Sequence, residues 1–401
     1  MEYIFLGGIF PETEIGYRIL EESKGSVQYA ADLFQKLLID GIEKNLKHDI
    51  TILNSMFVYP FPAGHKKMII PSFSFSHKEN AKDYNCGVIN LFGVNYFTRY
   101  LNLRKQLRKR YHGKEVTIFV YAMHAPFLHA VKSLKKVAKV RTVLICPDLP
   151  EFMNTSTNES FIYRLLKKID VSLIHSALGS VDNFVFITQQ MNERINTENK
   201  PYVVVEGIAV NQASLKNEKL SSKRIQLMYS GTLHLRYGVK NLLDAFLLCD
   251  NPNLELLVCG SGDFDHQIGQ YIEQDKRITY LGEISQDEVL KLQKNADILI
   301  NPRQNNEEFA KYSFPSKLME YLASGNPVLA YQLDGIPEEY TEYLIYIEGN
   351  EISDLVKAIN DVADLSQEKR DAVGKRNREF VENYKNSTVQ TKKIIDMLEI
   401  K

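Results

Sequence analysis

One segment of the chain combines residue types and spacing that suit the binding of a phosphorylated ligand. Residues 301–330 read NPRQNNEEFAKYSFPSKLMEYLASGNPVLA, and a helical pattern begins near Ser316 and ends at Gly325. The first amides of such a helix, together with Lys317, would face an anion, because a helix N-terminus carries unpaired N–H groups and the positive end of the dipole. Glu320 lies near the start of the same helix, where a carboxylate can accept hydrogen bonds from a ribose diol. A capping serine with a solvated Lys–Glu pair is the alternative interpretation.

A second group of candidate residues follows a predicted strand. Residues 227–246 read LMYSGTLHLRYGVKNLLDAF, in which the strand leads into Gly231 and Thr232. Arg236 and Lys240 in the following loop and helix start would supply positive charge to an anionic ligand. Solvent-exposed side chains without a ligand are the other interpretation of these two cations.

Polar residues and glycines also follow the predicted strands of the first half. His124 comes just after the strand at 116–120, and Asp148 follows the strand at 141–145. Ligands of open α/β sheets bind at the carboxyl ends of the strands, which favours a role for His124, although a lone His on an apolar segment is more often structural. Because glycine lets a backbone approach a ligand without a Cβ clash, further candidates are Gly7, Gly8, Gly25 and the adjacent Ser26.

The acidic residues and the cysteines give no convincing metal site. Asp263 and Asp265 stand two residues apart, after the turn that contains Gly260, in a polar loop of the second half. We interpret this loop as a solvated turn. The four cysteines are far apart and show no CxxC spacing, which argues against a disulfide framework and a structural zinc site: Cys86, Cys146, Cys249 and Cys259. We expect neither a metal nor a cofactor.

Residues 97–114 (FTRYLNLRKQLRKRYHGK) are strongly basic and contain no acidic residue. Apolar and aromatic residues recur there at helical spacing, namely Tyr100, Leu103, Leu107 and Tyr111. We expect an amphipathic helix that can lie on an anionic membrane. A nucleic-acid patch and a core-packed helix with a solvated basic face are the alternatives. No set of base-stacking aromatic residues accompanies the charges, so we expect no nucleic-acid partner.

Apolar runs of strand length alternate with helical patterns along the chain, which predicts parallel sheets covered on both faces. The predicted strands are 3–6, 50–53, 116–120, 141–145, 184–187, 202–205, 226–229, 254–259, 278–281, 298–300, 328–331 and 344–347. The predicted helices are 27–42, 241–248, 286–294, 316–323 and 352–362, and residues 9–23 are an excursion from the pattern. The polar stretch 211–223 (NQASLKNEKLSSK) is typical of a linker.

Length and composition set the outer limits. A chain of 401 residues exceeds what one hydrophobic core usually serves, so we expect two domains. The net charge of −1 excludes a global attraction to nucleic acid. No run approaches the ~18 apolar residues that span a bilayer, and the N-terminus lacks the basic region of a signal peptide. We expect a cytoplasmic protein that can associate peripherally with the inner face of the cell membrane.

The segment 301–330 resembles the nucleotide-sugar site of glycosyltransferase family 4, whose members have the GT-B fold. Glu320 matches the second Glu of the family's E-x7-E motif, whereas the first falls on Tyr312, and Glu307 or Glu308 could substitute from the loop. In the segment 227–246, the family's diphosphate-clamping Arg and Lys are replaced by Thr232 and Tyr237. His124 resembles the family's active-site His, and Asp148 stands at its frequent His-Asp position.

The resemblance implies an α/β GT-B fold: two Rossmann-like doubly wound domains facing a central cleft. We assign residues 1–200 with a returning C-terminal helix (382–401) to an acceptor-binding domain, and 201–381 to a nucleotide-sugar domain. We expect the last segment, 376–398, to form one helix that crosses back onto the first domain. It implies catalytic or leaving-group roles for His124, Lys317 and Arg236. Nucleotide-sugar contacts would be Gly231, Thr232, Lys240, Gly260, Leu281, Ile284, Tyr312, Phe314, Pro315, Ser316 and Glu320. The acceptor side would hold Gly7, Gly8, Gly25, Ser26 and Asp148.

The implied reaction is metal-independent transfer of a sugar, with retention, from a nucleoside diphosphate to a glycan, a lipid-linked saccharide or a glycoprotein. We expect uridine as the nucleoside. Two other functions stay open: a sugar-nucleotide epimerase, and a non-catalytic GT-B subunit or chaperone of a glycosyltransferase complex. The departures at Thr232, Tyr237 and Tyr312 keep the second of these in consideration.

Overall fold

A computed structural model of the chain describes residues 1–25, 27–152, 161–210, 212 and 224–399. Ser26 and all of the predicted linker 211–223 except Gln212 lie outside the described residues. The chain divides into two compact units, one of Met1–Glu206 with Ser387–Lys401 and the other of Gly207–Asn386.

The first unit is built on a sheet of mostly parallel strands. Its strands are β1 (Glu2–Gly7), β2 (Ile50–Asn54), β3 (Ile69–Ile70), β4 (Phe73–Phe75), β5 (Asp83–Asn85), β6 (Val88–Ile89), β7 (Glu115–Tyr121), β8 (Lys139–Cys146), β9 (Asn183–Phe186) and β10 (Tyr202–Val204). Eight of them form one sheet in the order β10-β9-β8-β7-β1-β2-β5-β4, in which only the β4–β5 pair is antiparallel. The remaining two, β3 and β6, pair as a separate antiparallel ribbon.

The helices of the first unit follow its strands. They are α1 (Glu14–Glu21), α2 (Tyr29–Leu46), α3 (Val94–Tyr111), α4 (Ala125–Leu134), α5 (Phe161–Leu178) and α6 (Gln189–Ile195), joined by the last helix of the chain, Ser387–Glu399. The sequence pattern missed α1, which lies in the stretch 9–23. A short helix begins there because the Thr13 hydroxyl accepts a hydrogen bond from the amide of Gly16 at 3.1 Å.

The second unit contains a fully parallel sheet. Its strands are β11 (Ile225–Ser230), β12 (Leu254–Cys259), β13 (Ile278–Tyr280), β14 (Ile298–Asn301), β15 (Val328–Ala330) and β16 (Ile345–Tyr346). They are ordered β13-β12-β11-β14-β15-β16. The helices are α7 (Val239–Leu247), α8 (Ile268–Gln274), α9 (Gln286–Asn295), α10 (Lys317–Ser324), α11 (Ile352–Ala363) and α12 (Gln367–Tyr384), so that Ser387–Glu399 is α13. Two apolar clusters, one centred on Leu242 and one on Leu322, fill the space between sheet and helices.

The prediction of one continuous helix over 376–398 is wrong. Helix α12 ends at Tyr384, and α13 begins at Ser387. Lys385 leaves the helical conformation, and its carbonyl accepts a hydrogen bond from the amide of Ala209 at 2.8 Å. Its ammonium is buried beside Glu339, at 2.6 Å from the carboxylate, so this residue anchors the end of α12 instead of continuing it.

Candidate functional site

The carboxyl ends of β11, β12 and β13 form a cross-linked edge in the second unit. The amide of Gly231 donates to the carbonyl of Cys259 at 3.0 Å, and the amide of Gly260 donates to the carbonyl of Gly282 at 2.8 Å. Gly260 has φ +131°, and a Cβ there would lie 1.9 Å from the carbonyl oxygen of Gly231. Only glycine fits this position, and its lack of a Cβ allows the loops after β11 and β12 to approach each other closely.

Glu320 lies in the first turn of α10 and is held in place by three side chains. One carboxylate oxygen accepts from the Lys317 ammonium at 2.8 Å and from the Gln293 amide at 3.1 Å, and the other accepts from Gln286 at 3.2 Å. The side chain is partly exposed. An oriented carboxylate of this kind can accept hydrogen bonds from vicinal hydroxyls on a ligand.

A buried polar network joins this carboxylate to the end of β11. The same Gln293 amide donates to the Ser230 hydroxyl at 2.9 Å, and the Tyr321 hydroxyl donates to the Ser230 carbonyl while accepting from its amide, both at 2.9 Å. Burial raises the pKa of the Tyr321 phenol, so it stays protonated and acts as a donor. The network fixes α10 against β11 and thereby fixes Glu320.

The predicted cations of this unit have carboxylate partners. Arg236 pairs with Glu307 at 2.5 Å, Lys240 with Asp244 at 2.5 Å, and Lys317 with Glu320. Arg236 lies in a short 3-10 turn (Leu235–Tyr237), and Lys240 is an exposed residue of the first turn of α7.

Arg303 is a cation that the sequence analysis did not single out. It follows β14 directly and is buried, and it donates to the Ser313 hydroxyl at 3.2 Å. Its guanidinium lies 4.2 Å from the ring centroid of Phe309, and the guanidinium of Arg236 lies 4.0 Å from the same centroid. The signal in the sequence was its position two residues after a strand end, in Asn301-Pro302-Arg303.

The remaining predicted donor-site residues fall into two groups. Thr232 and Leu281 are exposed in the loops after β11 and β13, and Ser316 is an exposed N-terminal flank of α10 whose hydroxyl makes no capping hydrogen bond. Tyr312 ends a 3-10 turn. The side chains of Phe314, Pro315 and Ile284 are instead packed or partly packed, and the Phe314 ring lies tilted against Tyr340 in the core, with centroids 5.4 Å apart. The assignment of Phe314 as a nucleotide-sugar contact stays a prediction.

The acidic pair after Gly260 does not form a metal cluster. Asp263 lies 3.0 Å from the imidazole Nδ1 of His234, and Asp265 begins a 3-10 turn. Within the described part of the chain, no group of three or more His, Cys, Asp or Glu side chains could hold a metal ion. No helix among these residues is long and apolar enough to cross a membrane.

In the first unit, His124 lies between the end of β7 and the start of α4. The turn that presents it includes Ala122, a non-glycine residue with φ +72°, a conformation that is uncommon and often found at functional sites. Three aromatic rings surround the imidazole, with centroids 4.8 Å (Phe127), 5.0 Å (Tyr96) and 5.6 Å (Phe57) away.

Burial and the neighbouring Arg99 together set the charge state of this histidine. The Arg99 guanidinium is buried, donates to the Ser55 hydroxyl and the Met56 carbonyl at 3.0 Å each, and lies 3.4 Å from His124 Nε2. Burial, and then the Arg99 charge, hold the pKa of His124 well below its usual range. His124 is therefore a neutral imidazole at physiological pH, and its Nδ1 is buried without a hydrogen-bond partner.

The Gly7-Gly8 loop does not offer free amides to a ligand. The amides of Gly8 and Ile9 donate to the buried side chains of Gln35 and Asn54 at 2.9 and 2.8 Å, respectively. A Cβ on Gly8 would lie 2.3 Å from the Phe57 ring. Internal side chains therefore occupy these two amides and close packing accounts for Gly8, while the assignment of an acceptor or phosphate loop here stays a prediction.

The other acceptor-side candidates are more open. Gly25 is exposed, and a Cβ there would make only an ordinary contact, 3.4 Å from the Tyr59 ring. Asp148 is exposed after β8. Ser26 lies outside the described residues.

The basic segment forms helix α3, and its periodic apolar residues face inward. Leu103, Leu107 and Tyr111 are buried, whereas Tyr100 is only partly buried. Arg104 and Arg108 donate to the hydroxyl and the carbonyl of Ser133 in α4. These residues therefore serve packing, and other residues of α3 face outward.

Comparisons with solved structures define the class of fold. Sucrose-phosphate synthase from Thermosynechococcus elongatus superposes with a TM-score of 0.65 at 15% identity, covering 99% of this chain and 98% of that one. Trehalose 6-phosphate synthase from Burkholderia multivorans gives 0.67 at 12%, covering 99% and 98%. Anabaena HepE in complex with UDP gives 0.61 at 13%, covering 99% of each chain. The chain has the predicted α/β GT-B fold; identities this low establish the fold and not the activity.

Comparison with protein-family models narrows the class of protein to which the second unit is similar. Residues 210–380 match the model described as Glycosyl transferases group 1, so the second unit carries a domain of that type. Glycosyltransferase is accordingly the enzyme class that these similarities support. The comparison with curated proteins found no match.

Proposed function

We propose that this chain is a retaining glycosyltransferase of the family 4 type that transfers a sugar from a UDP-sugar to a saccharide acceptor. One observation carries the proposal: Glu320 is held at the strand-end edge of the second unit by Lys317 and two glutamines, inside the segment that matches the glycosyltransferase model.

The donor's nucleotide would bind along this edge. Glu320 would accept hydrogen bonds from the ribose hydroxyls, while the exposed loop at Leu281, after β13, would hold the base through its backbone. The first amides of α10 and Lys317 would face the diphosphate. Uridine is supported by the similarity to a structure that contains UDP.

Departure of the diphosphate requires positive charge, because the C–O bond of the donor breaks toward the phosphate oxygen. Arg236 and Lys240 would supply this charge by exchanging their carboxylate partners for phosphate, Lys317 would add its charge while it stays paired with Glu320, and buried Arg303 would add to the local positive field. No metal ion is part of the proposal, because Asp263 already pairs with His234. The neutral imidazole of His124 would hydrogen-bond a hydroxyl of a bound sugar without adding a competing charge.

The acceptor belongs to the same proposal. A glycan, a lipid-linked saccharide or a glycoprotein would present the attacking hydroxyl, and the lipid-linked form would make an anionic membrane a partner of segment 97–114. Cytoplasmic placement with peripheral membrane association follows from that choice of acceptor.

The test is the replacement of Glu320 by Ala, followed by calorimetric titration with UDP. We expect at least a tenfold loss of affinity, since two charge-assisted hydrogen bonds would be removed at about 1.5–3 kcal/mol each. Glu320→Gln, which keeps one acceptor oxygen for Gln293, should fall between Ala and wild type. The folded state should persist in both variants, because the side chain is partly exposed.

Glu368→Ala is the matched control, because Glu368 is an exposed acid in the first turn of α12. It should leave UDP affinity unchanged. Equal affinity of folded Glu320→Ala and wild type would overturn the assignment. Product analysis with UDP-sugars in excess chelator completes the test: sugar transfer should persist, whereas conversion of the donor sugar alone would identify an epimerase.

A further inference from the structure

The outward side of helix α3 carries large apolar side chains. Val94, Phe97 and Leu101 are spaced three and four residues apart and are exposed, with Phe97 at 62%. Residues at this spacing share one face of a helix. The opposite face, which includes Leu103 and Leu107, is fully buried. The exposed stripe is therefore not the edge of the core but a second apolar face on the same helix.

The ribbon of β3 and β6 extends this face. Ile69 and Ile89 are direct cross-strand partners, so their side chains lie on the same side of the ribbon, and both are exposed. The amide of Ile89 donates to the Thr98 hydroxyl of α3 at 3.2 Å. The exposed isoleucines thus lie next to the stripe of α3.

Helix α5 carries an exposed apolar stripe of its own. Leu165, Ile169 and Leu173 recur every four residues and are exposed, whereas Ile174 is buried on the opposite side. The Tyr96 hydroxyl of α3 hydrogen-bonds the Asp170 carboxylate of α5, which ties the two helices together. Exposed apolar surface of this extent marks an interaction site.

Charge indicates what the surface binds. Helix α3 contains six basic residues and no acidic residue, in a chain whose net charge is −1. Lys105 and Lys109 continue the outward side of α3 toward its C-terminus and are exposed. An apolar stripe that passes into basic residues complements a lipid surface with anionic headgroups.

We propose that this surface docks on an anionic membrane. Phe97, Leu101 and the isoleucine pair would enter the headgroup region, while Lys105 and Lys109 would lie against lipid phosphates. The membrane docking depends on the proposed function in one respect only, namely that the acceptor of that function can be lipid-linked. The binding itself is measured without any nucleotide, so the two proposals fail independently.

The test is sedimentation of the full chain with vesicles of pure phosphatidylcholine and with vesicles containing phosphatidylglycerol. We expect binding to the anionic vesicles, weakened by salt. Lys105→Glu/Lys109→Glu should weaken it by about thirtyfold or more, because the loss of two basic charges alone costs about a factor of five each and the new carboxylates are repelled by the lipid phosphates. Phe97→Ser/Leu101→Ser should weaken it about tenfold or more by loss of apolar insertion.

Two matched controls separate the surface from general effects of charge and polarity. Lys357→Glu/Lys369→Glu makes the same charge change on exposed residues of the second unit, and Leu248→Ser removes an exposed leucine there. Both should bind vesicles like wild type. All variants should retain UDP affinity. Equal recovery with neutral and anionic vesicles, or a stable dimer that Phe97→Ser/Leu101→Ser dissolves in the absence of lipid, would overturn the inference.

Discussion

At the scale of single residues, the second unit holds its candidate cations in exchangeable pairs. Arg236, Lys240 and Lys317 each face a carboxylate, and each pair is at least partly exposed. Such pairs contribute little to stability, typically about 0–1 kcal/mol. A bound diphosphate could therefore replace Glu307 and Asp244 at small cost, and the positive charge is kept in place until the ligand arrives.

Asp170 in α5 allows a test of the electrostatics of the first unit. Burial raises the pKa of its carboxyl to about 6, and the hydrogen bond from Tyr96 only partly opposes this effect. The Asp170 carboxyl therefore ionises less readily in the folded protein than in the unfolded chain. The resulting penalty is absent below about pH 4, grows between about pH 4 and 6, and is complete above pH 6.

Asp170→Asn should therefore stabilise the first unit at pH 8 by about 1 kcal/mol after allowance for solvent screening, and by little at pH 4.5. Urea unfolding at the two pH values measures the difference. Asp182→Asn is not a suitable control, because Asp182 pairs with Lys135. The suitable control is Asp361→Asn, because Asp361 is exposed on α11. A gain that is equal at both pH values would contradict the raised pKa.

At the scale of helices and strands, the sequence predicts where the elements lie better than it predicts the contacts that each element makes with distant parts of the chain. All twelve predicted strands overlap observed ones, because buried parallel strands are continuous apolar runs. Helix α1 was not predicted, because eight residues are too few for a helical periodicity to stand out in the sequence. The ending of α12 depends on Ala209 and Glu339, which are distant in sequence from Lys385.

The same limit applies to the candidate site. The motif around Ser316 and Glu320 identified the edge on which α10 lies, but not the glutamines that orient the carboxylate. Those come from α9, and nothing in their local sequence indicates the contact. The internal partners of the Gly8 and Ile9 amides were likewise not visible in the sequence, since Gln35 and Asn54 follow later in the chain.

Helix packing in the first unit depends on Gly41, where α2 meets α13. A Cβ at this position would lie 2.3 Å from the carbonyl oxygen of Ser387 and 2.5 Å from the Thr391 hydroxyl. Gly41→Ala should therefore destabilise the unit by about 1–3 kcal/mol, since overpacking outweighs the helix-propensity gain of about 0.5–1 kcal/mol. Chemical denaturation measures it.

Gly269→Ala is the matched control, because this helical glycine of α8 has open space where the Cβ would stand. It should be neutral or slightly stabilising. If both variants change stability alike, close packing at Gly41 is not what fixes the helix pair.

At the scale of the whole molecule, the chain builds its first unit from both ends. After Asn386 it returns to that unit, where Arg141 donates to the carbonyl of Leu398 and Gln390 donates to the Glu206 carboxylate. Helix α13 also buries Ile394 and Met397. The first unit is thus complete only when the last helix is present, whereas the second unit is continuous in sequence.

Truncation after Asn386 should consequently loosen the first unit alone. Each large apolar side chain removed from the core costs about 1.5–3 kcal/mol, so the loss should be several kcal/mol. We expect hydrogen exchange to accelerate in α2 and β10, which pack against α13, while β11 and β12 keep their protection. UDP should still bind the truncated chain, because the residues proposed to hold it lie in the second unit. A chain ending at Glu399 is the control and should exchange like wild type. Equal loss of protection in both units would show that the second unit depends on the first for its folding.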